Sequence, residues 1–130
     1  MVEVSVGQEL EPVVVGPITR HMLALYCGAS GDHNPIHVDS DFAKAAGMGD
    51  VFAHGMLSMA FLGRVLTDWF PQEKIQEFEV RFTTVVRVED VITATGKVIS
   101  VTDGSAELEM LASNQNGDVV IKGRALVVVI

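Results

Sequence analysis

The chain has 130 residues, which suits one domain, residues 1–130, built around a single core. Its composition, 48% hydrophobic and 20% charged, is that of an ordinary globular protein. A formal net charge of −8 with no basic cluster speaks against nucleic acid and against an anionic membrane as partner, though not against a small phosphorylated ligand. Cys27 is the single cysteine, so no internal disulfide can form, as expected in a reducing compartment. The first residues lack the basic start and apolar core of a signal peptide. The longest apolar stretch, Gly55 to Leu62, is too short to span a bilayer, which takes about 20 residues. A cytoplasmic protein is expected.

In chain order, Val13 to Val15 reads as a first short strand. Thr19 is placed to cap a helix whose apolar face comprises Ile18, Met22, Leu25, Tyr26 and Ala29, with Gly28 and Gly31 ending it. Asp32 to Val38 is a loop, because Asn34 precedes Pro35 and is turned away from helical geometry. Ser40 is expected to cap a short helix, 41–46, closed by Gly47. Residues 55–70 form a helix that is apolar almost all round in its first two turns, so it belongs inside the fold.

The pattern changes near Pro71. Phe78, Val80 and Phe82 alternate with polar residues, as on a half-buried strand. Residues 91–101 form a further strand, followed by the Asp103-Gly104 turn signal. Ala106, Leu108, Met110 and Ala112 then alternate with Glu107, Glu109 and Leu111, and Asn116-Gly117 marks the next turn. Residues 119–130 form the last strand; its apolar end, from Ala125, predicts cover on both faces. The economical solution is α+β: a long antiparallel sheet wrapped around one buried helix.

Two segments carry chemistry. Residues 30–37, Ser-Gly-Asp-His-Asn-Pro-Ile-His, put the Asp32 carboxylate and the His37 imidazole in one short loop. There they can hold one water, one group taking a proton and the other delivering one, work worth roughly 10²–10⁴ in rate. The bland reading is an Asx-turn at Asp32 beside a satisfied loop histidine. The second segment, His54-Gly55-Met56, opens the buried helix. The amide of Gly55 has no partner in the helix there, and the absent Cβ lets a carbonyl oxygen approach. The bland reading is a simple helix start. A metal is not expected, because Pro35 between His33 and His37 denies them one helical face and the string departs from the EF-hand pattern. His21 reads as an ordinary residue of the first helix and Cys27 as a buried small hydrophobe.

The string from Tyr26 through Ala43, centred on Ser30 to His37, resembles the signature of the MaoC-like, or hydratase 2, family of (R)-specific enoyl-thioester hydratases and dehydratases. His54-Gly55-Met56 and the Val80-Arg81-Phe82 strand are similar to that family as well. The resemblance implies a hot-dog fold, usually in dimers of such units. It implies Asp32 and His37 as the catalytic pair, Asn34 as their support, and Gly55 as the amide that polarises the thioester carbonyl. His54 and Met56 would join Asn34 in binding substrate. The implied reaction is syn addition of water to a trans-2-enoyl thioester, giving the (R)-3-hydroxyacyl thioester, or its reverse. Coenzyme A or acyl carrier protein would belong to the substrate; neither a metal nor a redox cofactor is implied. The partner would be a second copy or a heteromeric hot-dog subunit. Several short hydratases carry a Ser where this chain has Gly63, a version closer to mycobacterial-type dehydratase subunits. The alternatives are a non-catalytic hot-dog subunit and a hot-dog thioesterase. The first is opposed by the retention of both Asp32 and His37. The second is opposed by the absence of an acid between Gly55 and Thr67.

Overall fold

The computed structural model describes residues 2–130. Strand β1 is Val13–Val15, helix α1 Arg20–Ser30, helix α2 Ser40–Ala45 and helix α3 Gly55–Thr67. Four strands follow: β2 Ile75–Phe82, β3 Ile92–Thr102, β4 Ser105–Ser113 and β5 Val119–Val128. They form one five-stranded antiparallel sheet in the order β1-β3-β4-β5-β2. Helix α3 packs against β1, β2, β3 and β4, so the sheet wraps it, which is the hot-dog arrangement.

The turn chemistry explains the meander. Asp103 and Gly104 both have positive φ, 50° and 77°, the geometry a two-residue hairpin needs between right-twisted strands. At the next turn, Asn114 Oδ1 accepts from the amides of Asn116 and Asp118 at 3.0 and 3.1 Å, and Gly117 takes φ 80°. The inward residues of β4, from Ala106 to Ala112, are all buried, as the alternation predicts. They face Leu57, Phe61, Leu62, Val65 and Leu66 of α3 within one continuous core. Each such side chain contributes roughly 1.5–3 kcal/mol by leaving water.

Four expectations are corrected. Helix α1 buries Leu23 and Cys27, whereas Leu25 is 62% exposed, because the core lies beyond the Leu23 side of the helix. Helix α2 is capped by Asp39, which accepts from the amides of Asp41 and Phe42; Ser40 is already helical and turns its hydroxyl to Asp50. Helix α3 stops at Thr67, and Asp68 caps it. The end of β5 is covered on one face: Ala125, Val127 and Val129 are buried while Leu126 and Val128 stay half-exposed.

Gly123 is where β2 and β5 come closest to conflict. A Cβ there would lie 2.5 Å from the Glu79 carbonyl oxygen and 2.9 Å from Val80 Cγ1. Gly123→Ala must push the edge strand outward, a strain of about 1–3 kcal/mol. Calorimetry should show the melting temperature falling by several degrees; an unchanged value would place the strands farther apart than described here.

Candidate active site

The loop after α1 is shaped by its own short polar side chains. Gly31 takes the left-handed conformation, φ 76°, and its amide donates to the Cys27 carbonyl at 3.1 Å, closing the helix. The Asp32 amide donates to Ser30 Oγ, the Asn34 amide to Asp32 Oδ1 at 3.3 Å, and the Ile36 amide to Asn34 Oδ1 at 3.1 Å. Asn34 thereby caps a single 3-10 turn, Pro35–His37, that turns His37 inward to 8% exposure. The Asx-turn is thus real, but it uses one oxygen of Asp32 and leaves the side chain exposed.

Inside, His37 Nδ1 lies 2.7 Å from the carbonyl oxygen of Phe52. A carbonyl only accepts, so Nδ1 carries the hydrogen and Nε2 keeps its lone pair free. Beneath it lies His54, 1% exposed, with the two rings stacked 3.8 Å apart at 24°. His54 Nε2 sits 3.3 Å from the Asp32 carbonyl oxygen and 3.3 Å from Cys27 Sγ, and Tyr26 meets its ring edge-on at 4.7 Å. By the same argument, Nε2 carries the hydrogen. Nδ1 is then a bare acceptor, buried without a partner among the described residues. Burial, and then the neighbouring His37, push the His54 pKa down, so the ring is neutral. Burial, and then Asp32, push the Cys27 thiol up, which keeps it protonated and unreactive.

The neutral state of His54 has a measurable consequence. Unfolded, the ring titrates near 6.5; folded, it resists the proton. The unfolded chain therefore binds more protons below that pH, and stability falls as pH drops through about 6.5. Urea titrations at pH 7.5 and 5.5 should show this loss, and His54→Gln should flatten the dependence. A variant with the wild-type pH slope would assign the loss to another group.

A clasp holds the three contributing segments together. Arg20 of α1 and Ser40 of α2 both bond to Asp50, which leads into α3. The Arg20 guanidinium first, then the Val51 amide and the Ser40 hydroxyl, hold the Asp50 carboxyl down at about 2. No side chain caps α3, so the amides of Gly55 and Met56 lack helical partners at the positive end of its dipole. Gly55 lines a pocket of about 300 Å³ with Phe52, Ser58, Phe82, Thr84 and Val86 among its walls. A Cβ at Gly55 would lie 3.1 Å from the Phe82 ring.

Asp32, His37 and His54 each place one polar atom within 4.8 Å of the others. A water making two hydrogen bonds of about 2.8 Å at a tetrahedral angle spans about 4.6 Å. A gap no wider than 4.8 Å has room for one water between Asp32 and His37. It suits a chelated metal poorly: the two imidazoles are nearly parallel, so an ion in the plane of one lies off the plane of the other. Gly55 follows His54 directly and joins this cluster to the pocket. Asn34 shapes the loop with its carbonyl oxygen. Met56 is 57% exposed and is not among the pocket residues. Gly63 borders a separate hollow with Ala60, Arg64 and Phe78. The inward burial of His54 was not legible, because a histidine before a helix is ordinarily solvated. Ser58 stood in the sequence only as a polar interruption in an apolar run.

The chain is similar to several known proteins. The family model described as "MaoC like domain" matches residues 2–119. An "(R)-specific enoyl-CoA hydratase" of Rhodospirillum rubrum is 33% identical over 118 residues, covering 86% of this chain and 80% of the relative. The "3-hydroxyacyl-thioester dehydratase Z" of Mycobacterium tuberculosis is 32% identical over 92 residues, covering 66% of this chain and 61% of the relative. An unliganded R-hydratase structure from Pseudomonas aeruginosa superposes with a TM-score of 0.88 at 27% identity, covering 98% of this chain and 83% of that one. A central helix wrapped by an antiparallel sheet puts the chain in the hot-dog class. Within that class the chain belongs to the MaoC-like dehydratase family.

Proposed function

We propose that the protein is a hydro-lyase that adds water to trans-2-enoyl thioesters to give (R)-3-hydroxyacyl thioesters, or runs the reverse dehydration. The observation that carries this reading is the tautomer of His37. Its Nδ1–H is committed to Phe52, which leaves Nε2 as the free base beside the Asp32 carboxylate. His37 Nε2 takes a proton from the bridging water while Asp32 orients that water. The water oxygen bonds C3, the C2=C3 pair shifts toward the carbonyl, and the charge collects on the thioester oxygen. The Gly55 amide stabilises that charge, and the proton passes from His37 to C2 on the same face. Nothing in this sequence of steps draws on a metal or redox group.

The test is to mix the protein with a short trans-2-enoyl-CoA and follow enoyl absorbance and free thiol together. Absorbance loss without thiol release is the expected result. Thiol release would make the chain a thioesterase, and no change in either would make it a non-catalytic subunit. The acyl carrier is proposed to be coenzyme A, since an acidic chain repels an acidic carrier protein on average. A second hot-dog unit, the same chain or a related subunit, is proposed to pair with β2. That strand ends the sheet, and Phe82 at its end and Val85 just beyond are 50% and 37% exposed. No helix among the described residues is long and apolar enough to cross a membrane, and a cytoplasmic site of action fits this reading.

A further inference from the structure

Helix α3 is apolar where it meets the core, with one exception. Ser58 is 3% exposed and lines the same pocket as Gly55. Three residues apart on a helix, the two share a face. A helical Cα–Cβ bond tilts toward the N-terminus, so the Ser58 hydroxyl lies over the turn that Gly55 begins. Helical hydroxyls commonly donate back to a carbonyl of the preceding turn, as Thr67 does to Arg64 at 3.5 Å. Ser58 Oγ makes no such bond among the described residues, although its own amide reaches the His54 carbonyl only weakly, at 3.5 Å. The hydroxyl is not sealed as His54 Nδ1 is, so it opens onto the pocket that the residue lines, where a ligand can take its hydrogen bond.

We propose that Ser58 is a catalytic residue whose hydroxyl donates a second hydrogen bond to the thioester oxygen, beside the Gly55 amide. This rests on the hydration reaction proposed above. As water adds at C3, the C2=C3 electron pair moves toward C1 and the carbonyl pair moves onto oxygen. Two donors on one helix face, in a pocket walled by Phe52, Phe82 and Val86, meet that charge. Ser58 gives up no proton. Its donor shortens as the charge grows, so its contribution falls on kcat more than on KM.

Ser58→Ala is expected to lower kcat about 10²-fold and to raise KM by a smaller factor. Its melting temperature should change little, since no hydrogen bond within the protein is lost. Ser58→Thr, which keeps the hydroxyl, should recover part of the rate. A binding arm stands apart from turnover: titrate a saturated acyl-CoA and its thioether analogue, which lacks the carbonyl oxygen. Wild type should prefer the thioester, and Ser58→Ala should lose much of that preference. Unchanged kcat in Ser58→Ala, or equal weakening of both ligands, would overturn the role of Ser58. If wild type fails to hydrate any enoyl thioester, the proposed reaction falls, and the two-ligand comparison still decides whether Ser58 reads a carbonyl.

Discussion

Asp32→Asn is expected to lower kcat on a trans-2-enoyl-CoA by about 10²–10⁴ and to leave folding almost untouched. The asparagine keeps an Oδ1 for the Asn34 amide, so the loop closes as before. What disappears is the negative charge that orients the bridging water and stabilises an imidazolium at His37. His37→Gln should cost a similar factor. Its amide N–H can still reach the Phe52 carbonyl, but no basic nitrogen remains. Because His37 is buried and stacked on His54, this second variant should also melt a few degrees lower. Steady-state kinetics with a parallel thermal melt separates the two effects. If both variants turned over at the wild-type rate, the pair would have to be sought elsewhere.

Gly55→Ala should lower kcat/KM by about 10–10²-fold with only a small loss of stability. The new methyl group lands 3.1 Å from Phe82, a side chain that is 50% exposed and free to swing by a few tenths of an ångström. The backbone amide remains, so the donor is not deleted. The methyl group occupies the approach of the thioester oxygen instead, and a displacement of about 1 Å at a reacting centre costs roughly 10²-fold. Kinetics on the variant, together with Gly55→Ala/Phe82→Leu, would show whether relieving the contact restores activity. Full activity in the single variant would mean that the thioester oxygen does not approach this amide.

How far the site was legible depended on whether its signals were local. Gly31, Asn34 and Pro35 act on their nearest neighbours, through a left-handed helix end, an Asx cap and a fixed φ. Their residue types alone therefore announced a tight loop presenting Asp32 and His37. The alternation in β4 and the two turn signals were local in the same sense. The buried face of α1 is not legible in the same way, because a helix with apolar residues on two sides leaves the choice to whatever packs against it, and Leu23 is buried while Leu25 is exposed. The cap of α2 is ambiguous by one residue in the sequence because Asp39 and Ser40 are both good caps, and Asp50, ten residues beyond Ser40, takes the serine hydroxyl.

The sequence by itself determined the chemistry available: one acid, one imidazole and one glycine amide, in segments whose local rules bring each to a loop or a helix start. Tertiary structure decided the protonation states and the geometry. The carbonyl of Phe52, fifteen residues from His37, sets which ring nitrogen is basic. His54 became a neutral support beneath the pair because the closing fold buried it beside Cys27 and Tyr26. Tautomer and burial arise from contacts between segments distant in the chain, and no spacing of residue types along one strand or helix encodes them.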